Sequence, residues 1–233
     1  MRKSAEAPVP SSVMKRASPV LGCLLLSCLP AVGAASESAR PPLEISGTRF
    51  MRGGQPFPYT AVSFFNAIYN PAFNRDSAER QRWLAKFQQY GINVLRVWAQ
   101  WDNPRPFVDA GRDKTLYHPD GRLRDDHLAA LKAIIADADR AGMIIQLVLF
   151  SQESWHAGIR LAPEVQDRAV AALARELQPH RNVVLQIWNE LSERVLEHVK
   201  TIKAIDRARL VTNSPGPAGF LGDPSQNRVL DYL

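Results

Sequence analysis

Two short apolar runs constrain the fold of this chain more than any other feature. Residues 143–150 and 183–188 are apolar almost throughout, and a segment that opens at Pro163 with apolar residues at helical spacing lies between them. Apolar runs of this length are typical of strands buried on both faces, which occur in parallel sheets whose strands are joined by helices. The chain is therefore predicted to be an α/β protein with a parallel sheet.

The same alternation extends over most of the sequence. A helix is predicted to begin near Asp76, where Glu79 completes a capping box, and to end at Gly91. A hairpin is predicted over residues 45–57, with Gly53 and Gly54 at its turn. Further strands are predicted at residues 60–65, 92–97, 210–213 and 229–233, with further helices over residues 128–138 and 192–206.

Two architectures satisfy this alternation, a doubly wound sheet and a (β/α)₈ barrel. No Gly-x-Gly-x-x-Gly follows the first strand, which argues against a dinucleotide-binding sheet. Polar and aromatic residues follow the strands, which is where a barrel holds its active site. An open parallel sheet also binds ligands beyond the carboxyl ends of its strands, so this placement fits both architectures.

The first 34 residues have the pattern of a signal peptide. Lys15 and Arg16 precede the apolar residues 20–29, and small residues follow as a cleavage site. Met14 is the predicted translation start, because nothing before it belongs to a signal peptide. Residues 25–28 also resemble a bacterial lipoprotein box, in which Cys28 would carry the lipid. We expect an exported protein in either case, with a linker over residues 35–42.

Charge and cysteine content narrow the partners and cofactors. The formal net charge of +6 falls to +3 without residues 1–34, and no basic stripe is present, so no nucleic-acid partner is expected. Cys23 and Cys28 both lie in the predicted leader, which leaves no disulfide or thiolate metal site in the rest of the chain. No His-Glu-x-x-His motif occurs, and neither a metal nor another cofactor is expected.

The stretch from Gln186 to Glu190 is the candidate for catalysis. A buried strand there ends in Asn189 and Glu190, an amide and a carboxylate at the rim of the sheet. Glycoside hydrolysis uses a carboxylic acid beside the leaving oxygen and a second carboxylate at the anomeric carbon. The alternative is structural: Asn189 or Ser192 would cap the next helix, with Glu190 in its first turn.

Three segments resemble a known superfamily of enzymes. Residues 45–57 resemble the entry hairpin of the clan A glycoside hydrolases, the (β/α)₈ enzymes that include the family 5 cellulases and mannanases. Residues 91–98, Gly-Ile-Asn-Val-Leu-Arg-Val-Trp, resemble the second strand of that family, and residues 187–190, Ile-Trp-Asn-Glu, resemble the end of its fourth. The resemblance covers residues 43–233 and implies a TIM barrel preceded by an N-terminal β-hairpin.

The resemblance also implies roles for individual residues. Glu190 would act as general acid and then general base of a retaining glycosidase that cleaves β-linked polysaccharides or oligosaccharides. Asn189 would hold the 2-hydroxyl of the sugar, and Arg96 would keep the nucleophile ionised, since a nearby cation favours a charged carboxylate. For Arg96 the alternative is a structural ion pair at the rim.

Several residues at or beyond strand ends are candidates for substrate binding. Aromatic rings there can stack on sugar rings, although each could equally pack beneath a long loop. Glu153 is interpreted as a rim carboxylate that contacts substrate hydroxyls or a loop, and not as a second catalytic group. The substrate-binding set consists of Phe65, Asn66, Trp98, Trp101, Glu153, Trp155 and His156.

The sequence departs from the family pattern in two places. The family often has a His near the end of its third strand, where this chain has Ser151, and His156 follows later. The nucleophile of the family lies on the seventh strand, whereas about six strands are predicted here. We therefore expect an incomplete barrel in which Glu190 lacks its partner. Two other hypotheses are a catalytically inactive carbohydrate-binding barrel remnant and an exported α/β scaffold protein.

Overall fold

The computed structural model describes residues 40–102, 110–156, 158–216 and 222–233. The predicted signal peptide, the start at Met14 and the lipid attachment at Cys28 lie outside these ranges, as does most of the predicted linker. Residues 40–42, the end of that linker, have no regular secondary structure.

An antiparallel three-stranded sheet opens the described chain and confirms the predicted hairpin. Strands β1 (Leu43–Ser46), β2 (Arg49–Arg52) and β3 (Gln55–Pro56) pair in sequence order. The turn between β2 and β3 places both Gly53 and Gly54 at positive φ, 57° and 76°, a conformation that glycine adopts without a steric penalty.

A parallel five-stranded sheet forms the centre of the fold. Its strands pair strictly in sequence order, each parallel to the next. This is the sequential order of a (β/α) barrel and not of a doubly wound sheet, whose strand order reverses. The strands are β4 (Ala61–Phe64), β5 (Val94–Trp98), β6 (Ile144–Ser151), β7 (Val183–Asn189) and β8 (Val211–Ser214).

Helices connect the strands and cover one face of the sheet. The first of them begins as predicted, because the Asp76 carboxylate accepts a hydrogen bond of 2.7 Å from the Glu79 backbone N–H. The helices are α1 (Ser77–Gln89), α2 (Asp125–Arg140), α3 (Gln152–His156), α4 (Pro163–Leu177), α5 (Val195–Ile205) and α6 (Pro224–Asn227), with a 3₁₀ turn at Ala67–Tyr69. None of the helices in the described ranges is both long and apolar enough to cross a membrane.

The two faces of the sheet have different cores. On the helix side Leu95, Leu147 and Leu185 belong to one large buried cluster with the helices. On the inner side Val94 and its neighbours on β6 and β7 form a smaller cluster with the N-terminal hairpin. The hairpin therefore closes the amino end of the strands, which leaves their carboxyl ends for a site.

The predicted sixth strand over residues 229–233 is wrong. The backbone N–H of Asp231 donates to the Val211 carbonyl at 2.9 Å, but the Val211 N–H donates at 2.7 Å to the Asp231 carboxylate and not to a backbone carbonyl. A side chain thus occupies the place of the next strand's carbonyl, and the ladder stops. The described part of the chain holds five strands of the parallel sheet, so the barrel is incomplete by one strand more than predicted.

Candidate active site

Asn189 and Glu190 stand at the carboxyl end of β7, which is the fourth strand of the parallel sheet. Asn189 is half-buried, and Glu190 is exposed with a left-handed backbone at φ 60°. The next helix, α5, begins at Val195 and not at Ser192, with Arg194 as its N-cap. Neither Asn189 nor Ser192 caps it and Glu190 is outside its first turn, so the structural alternative for this motif is wrong.

An irregularity in β7 turns Asn189 toward the inner face. Residues three apart on a regular strand point to opposite faces, yet the side chains of Gln186 and Asn189 both contact Arg96. The register between β7 and β8 shifts between Gln186 and Asn189. Bulges of this kind often lie beside active sites, where they re-aim a side chain. Here the bulge turns Asn189 toward Arg96 on the inner face, directly before Glu190.

Arg96 on β5 is the centre of a polar layer across three strands. Its Nε donates to Gln186 Oε1 and its Nη2 donates to Asn189 Oδ1, both at 2.8 Å. Gln146 on β6 donates to the same Gln186 oxygen at 2.7 Å and accepts a hydrogen bond from Tyr59 at 2.8 Å. Two side-chain amides of β7 thus fix the direction of the guanidinium group, and Gln146 on β6 holds one of them in place.

The electrostatic surroundings of Arg96 include two carboxylates. Burial lowers the pKa of Arg96 to about 10, and the negative charges of Glu190 and Glu153 act in the opposite direction. A pKa of about 10 leaves the guanidinium charged at neutral pH. Glu153 lies on α3, directly after β6, and its Oε2 atom is buried with no hydrogen-bond partner in the described part of the chain. The structure therefore brings Arg96, Glu153 and Glu190 to one end of the sheet.

An aromatic cluster lies beside this polar layer. Phe65 stacks on Trp101 with ring centroids 4.7 Å apart and contacts Trp98 at 4.6 Å. Phe65 is 43% exposed, whereas Trp98 and Trp101 are 1% and 5% exposed. The Arg96 guanidinium lies 4.2 Å from the centre of the Trp98 ring. Of these three predicted substrate-binding residues, Phe65 presents the accessible ring and the two tryptophans support it.

The remaining predicted substrate-binding residues lie at two other positions. Trp155 packs edge-on against Trp188 at 5.7 Å, and the Arg160 guanidinium covers its ring at 3.0 Å. His156 is exposed at the last position of α3. Asn66 precedes the 3₁₀ turn after β4, where its carbonyl accepts a hydrogen bond from the Tyr69 N–H at 2.8 Å.

The structure adds polar residues that sequence reasoning missed. Gln146, Tyr59 and Asn213 join the network around Arg96 and Asn189. Asp102 is fully buried near the end of β5 and accepts a hydrogen bond from Ser154, and burial raises its pKa to about 6. Gln146 could have been identified from the sequence, because it is a polar residue in an otherwise apolar predicted strand.

No group of three or more His, Cys, Asp or Glu side chains in the described residues is placed to hold a metal ion. The Arg96 guanidinium interacts electrostatically with the two rim carboxylates, Glu153 and Glu190, and offsets part of their negative charge. The chemistry this arrangement can perform is proton transfer and the binding of hydroxyl groups at the carboxyl ends of the strands.

Comparison with solved structures finds the same fold in glycoside hydrolases. A putative glycoside hydrolase from Bacteroides vulgatus superposes with a TM-score of 0.60 at 17% identity, covering 77% of this chain and 39% of that chain. A family 5 mannosidase from Rhizomucor miehei, in complex with mannosyl-fructose, gives 0.60 at 16% identity and covers 80% and 58%. An endo-1,4-beta-mannanase from the same organism gives 0.55 at 14% identity and covers 74% and 60%.

These comparisons establish the fold. No protein-family model matches the sequence, and no curated protein does. The chain spans between about two fifths and three fifths of the length of these solved structures. The described part of the chain has the fold of the clan A, family 5-like glycoside hydrolase barrels, over part of their length, as the sequence resemblance predicted.

Proposed function

We propose that this chain contributes the acid/base carboxylate of a retaining glycoside hydrolase that acts on β-linked polysaccharides or oligosaccharides. One observation carries the proposal: Arg96 from the second strand of the sheet binds Asn189 at the end of the fourth, directly before the exposed Glu190. A structural ion pair at the rim would not need Arg96 to be held by two side-chain amides.

The proposed reaction has two steps. In the first, Glu190 transfers its proton to the glycosidic oxygen as the bond to the anomeric carbon breaks, and a nucleophilic carboxylate forms a bond to that carbon. In the second, Glu190 accepts a proton from the attacking water, and the bond to the nucleophile breaks. Asn189 would bind the 2-hydroxyl of the sugar, and the Arg96 charge would keep the nucleophile ionised. We place that nucleophile on a later strand, beyond the described residues.

The first substrates to test follow from the structural neighbours. Two of the solved structures are named as an endo-1,4-beta-mannanase and a family 5 mannosidase. We propose β-1,4-linked mannan and its oligosaccharides as the initial panel, followed by cellulose-derived oligosaccharides. The exposed Phe65 ring, supported by Trp101 beneath it, would stack on one sugar of the chain.

Glu190→Gln tests the proposal in the full-length gene product. The amide keeps the shape of the side chain and removes the proton, so turnover should fall about 10²-fold to 10⁴-fold on substrates with poor leaving groups. Loss of kcat/KM should be much smaller for an activated aryl glycoside, whose leaving group needs no protonation. Substrate binding should persist in titration calorimetry.

The matched control is Glu197→Gln, an exposed carboxylate on α5. This substitution should leave turnover and kcat/KM within about a factor of two of the parent values. Unchanged hydrolysis of the oligosaccharide by the Glu190 variant would remove Glu190 from the proposed role. Sugar binding without turnover in the unmodified protein would favour the carbohydrate-binding remnant, and neither binding nor turnover would favour the scaffold protein.

We also propose that the protein is exported, with Cys28 as the acylated residue if the lipoprotein signal is used. The basis is the apolar segment of residues 20–29 after Lys15 and Arg16. Expression with a radiolabelled fatty acid tests the anchor, and Cys28→Ser should abolish the label. Label retained on the Ser variant, or full-length precursor in the cytoplasm alone, would contradict it.

A further inference from the structure

We infer that Asn213 on β8 is a positioning residue that sets the direction of the Glu190 carboxylate. The inference rests on the proposed role of Glu190. The Asn213 side chain is 6% exposed and binds the chain on both sides of Glu190. Its Oδ1 accepts a hydrogen bond of 2.9 Å from the Trp188 N–H, and its Nδ2 donates to the Leu191 carbonyl at 2.9 Å and to Ser192 Oγ at 3.3 Å.

Glu190 needs such support because its backbone is strained. A φ of 60° places a non-glycine residue in the left-handed region, where its Cβ crowds the following carbonyl oxygen at a cost on the order of 1–2 kcal/mol. Strained residues of this kind persist only where their surroundings determine them, and they concentrate at active sites. Asn213, on the neighbouring strand β8, fixes the backbone before and after Glu190 through its hydrogen bonds to Trp188 and Leu191.

The Asn213 side chain also accounts for the bulge in β7. The Trp188 N–H bonds to the Asn213 side chain in place of a backbone carbonyl of β8, and this lies within the interval where the register between the two strands shifts. The displaced ladder turns Asn189 inward, where its Oδ1 accepts a hydrogen bond from Arg96. One amide on β8 thus accounts for the directions of both Asn189 and Glu190.

An amide is suited to this set of contacts. The position must accept a hydrogen bond from an N–H and donate one to a C=O, which a carboxylate of the same shape cannot do. Other contacts hold the segment farther along: Gln226 donates to the Ser192 carbonyl at 3.1 Å, and the Trp188 indole donates to the Glu193 carbonyl at 2.8 Å. These contacts would keep the loop attached in a variant that lacks the Asn213 amide.

The experiment compares Asn213→Ala and Asn213→Asp with Asn182→Ala in the full-length gene product. Asn182 is a matched control at the opposite end of β7, since it is 2% exposed and its Nδ2 donates to the carbonyls of Ile135 and Met143 at 2.9 and 3.4 Å. For each variant kcat/KM is measured on an unactivated oligosaccharide and on an activated aryl glycoside, and both values are divided by the folded fraction. Hydrogen exchange of the Trp188 amide is measured in parallel.

The expected result is a selective loss. Misplacement of a catalytic group by about 1 Å can cost about 10²-fold, so Asn213→Ala should lose about 10²-fold on the oligosaccharide and less than about 5-fold on the activated substrate. Asn213→Asp should lose less than Asn213→Ala, because it keeps the acceptor for Trp188. The Trp188 amide should exchange faster in Asn213→Ala, and Asn182→Ala should lower stability without changing the ratio of the two activities.

Three results would overturn the inference, and they are distinguishable from failure of the proposed function. Equal losses on both substrates, or equal ratios in Asn213→Ala and Asn182→Ala, would reduce Asn213 to a structural residue in an active glycosidase. An unchanged exchange rate of the Trp188 amide would show that Asn213 does not hold it. An unmodified protein that hydrolyses neither substrate would instead refute the proposed function, and the positioning role would fall with it.

Discussion

At the scale of single residues, Asp102 is a buried carboxylate with incomplete hydrogen bonding. It is fully buried near the aromatic cluster, Ser154 donates to one of its oxygens, and the other oxygen has no partner in the described part of the chain. Burial raises its pKa from 3.8 to about 6. The folded state therefore binds more protons than the unfolded state between these two values, and the contribution of Asp102 to stability is lost as pH rises through about 6.

Asp102→Asn should therefore stabilise the protein at neutral pH and leave its stability unchanged near pH 4. The amide keeps the acceptor for Ser154 and carries no charge to desolvate, so the gain should reach on the order of 2 kcal/mol. Thermal melts of variant and parent from about pH 4 to pH 8 measure the difference in Tm, which should grow with pH up to about 7.

The control for this substitution is Asp113→Asn, at an exposed site. The hydrogen bond from Lys114 lowers the pKa of Asp113, so the charged carboxylate stabilises the folded state. Relative to the parent protein, Asp113→Asn should therefore become less stable as pH rises, the opposite of Asp102→Asn. A constant difference in Tm for Asp102→Asn across the pH range would contradict the pKa of about 6.

The residues proposed for catalysis could be picked out from the sequence, but Asn213, which is proposed to position them, could not. Asn189 and Glu190 end a buried strand and Arg96 interrupts another, and these are local patterns. Asn213 lies 23 positions after Glu190, and in the sequence it is one of several polar residues in a short strand. Its contact with Trp188 depends on the register between two strands, and no local pattern encodes that register.

At the scale of elements, Asp137 joins α1 to α2. Its fully buried carboxylate on α2 accepts hydrogen bonds from Ser77 Oγ at 2.7 Å and from Arg80 Nε at 2.5 Å. Gln81 donates to it from α1, and Arg140 donates from α2 itself. Burial alone would raise the pKa of Asp137, but these hydrogen bonds outweigh burial and hold it below 3.8.

Asp137→Ala should strongly destabilise the fold without changing the residues of the candidate active site. It leaves the Arg80 guanidinium, whose side chain is only 11% exposed, without its partner; breaking a buried pair in this way typically costs about 3–5 kcal/mol. Denaturant unfolding measures the loss. Asp139→Ala is the matched control two residues away, because its contact with Arg52 is 3.6 Å and partly exposed, and it should cost less than about 1 kcal/mol. Equal losses in the two variants would contradict this account.

Element boundaries were predictable where local chemistry sets them. The Asp76 cap and the glycine turn of the hairpin are local, and both predictions are confirmed. The start of α5 was predicted three residues too early, because the left-handed Glu190 and Arg194 keep residues 190–194 out of the helix. Residues 229–233 have the apolar composition of a strand, but the Asp231 carboxylate ends the ladder.

At the scale of the whole molecule, the two edges of the parallel sheet differ. The outer edge of β8 meets residues 231–232: Asp231 bonds to Val211, and the Thr212 hydroxyl donates to the Tyr232 carbonyl at 2.8 Å. Within the described residues, β4 pairs on one side only, with β5. Ala61 and Ser63 lie on the inner face of β4, opposite the helix-side cluster, and both are exposed to solvent. The edge at β4 is therefore the open one.

An open, uncharged parallel edge is a template for pairing with another chain. We expect residues 35–233, expressed alone, to self-associate or to be partly molten, with an apparent mass that rises with concentration in light scattering. Ser63→Lys should raise the concentration at which association begins, since a charge on an edge strand opposes pairing. The same substitution at Ser46, exposed on β1 of the separate hairpin sheet, should not raise it. A soluble monomer with a sharp, cooperative melt would contradict the expectation and would mean that β4 is protected by a contact outside the described residues.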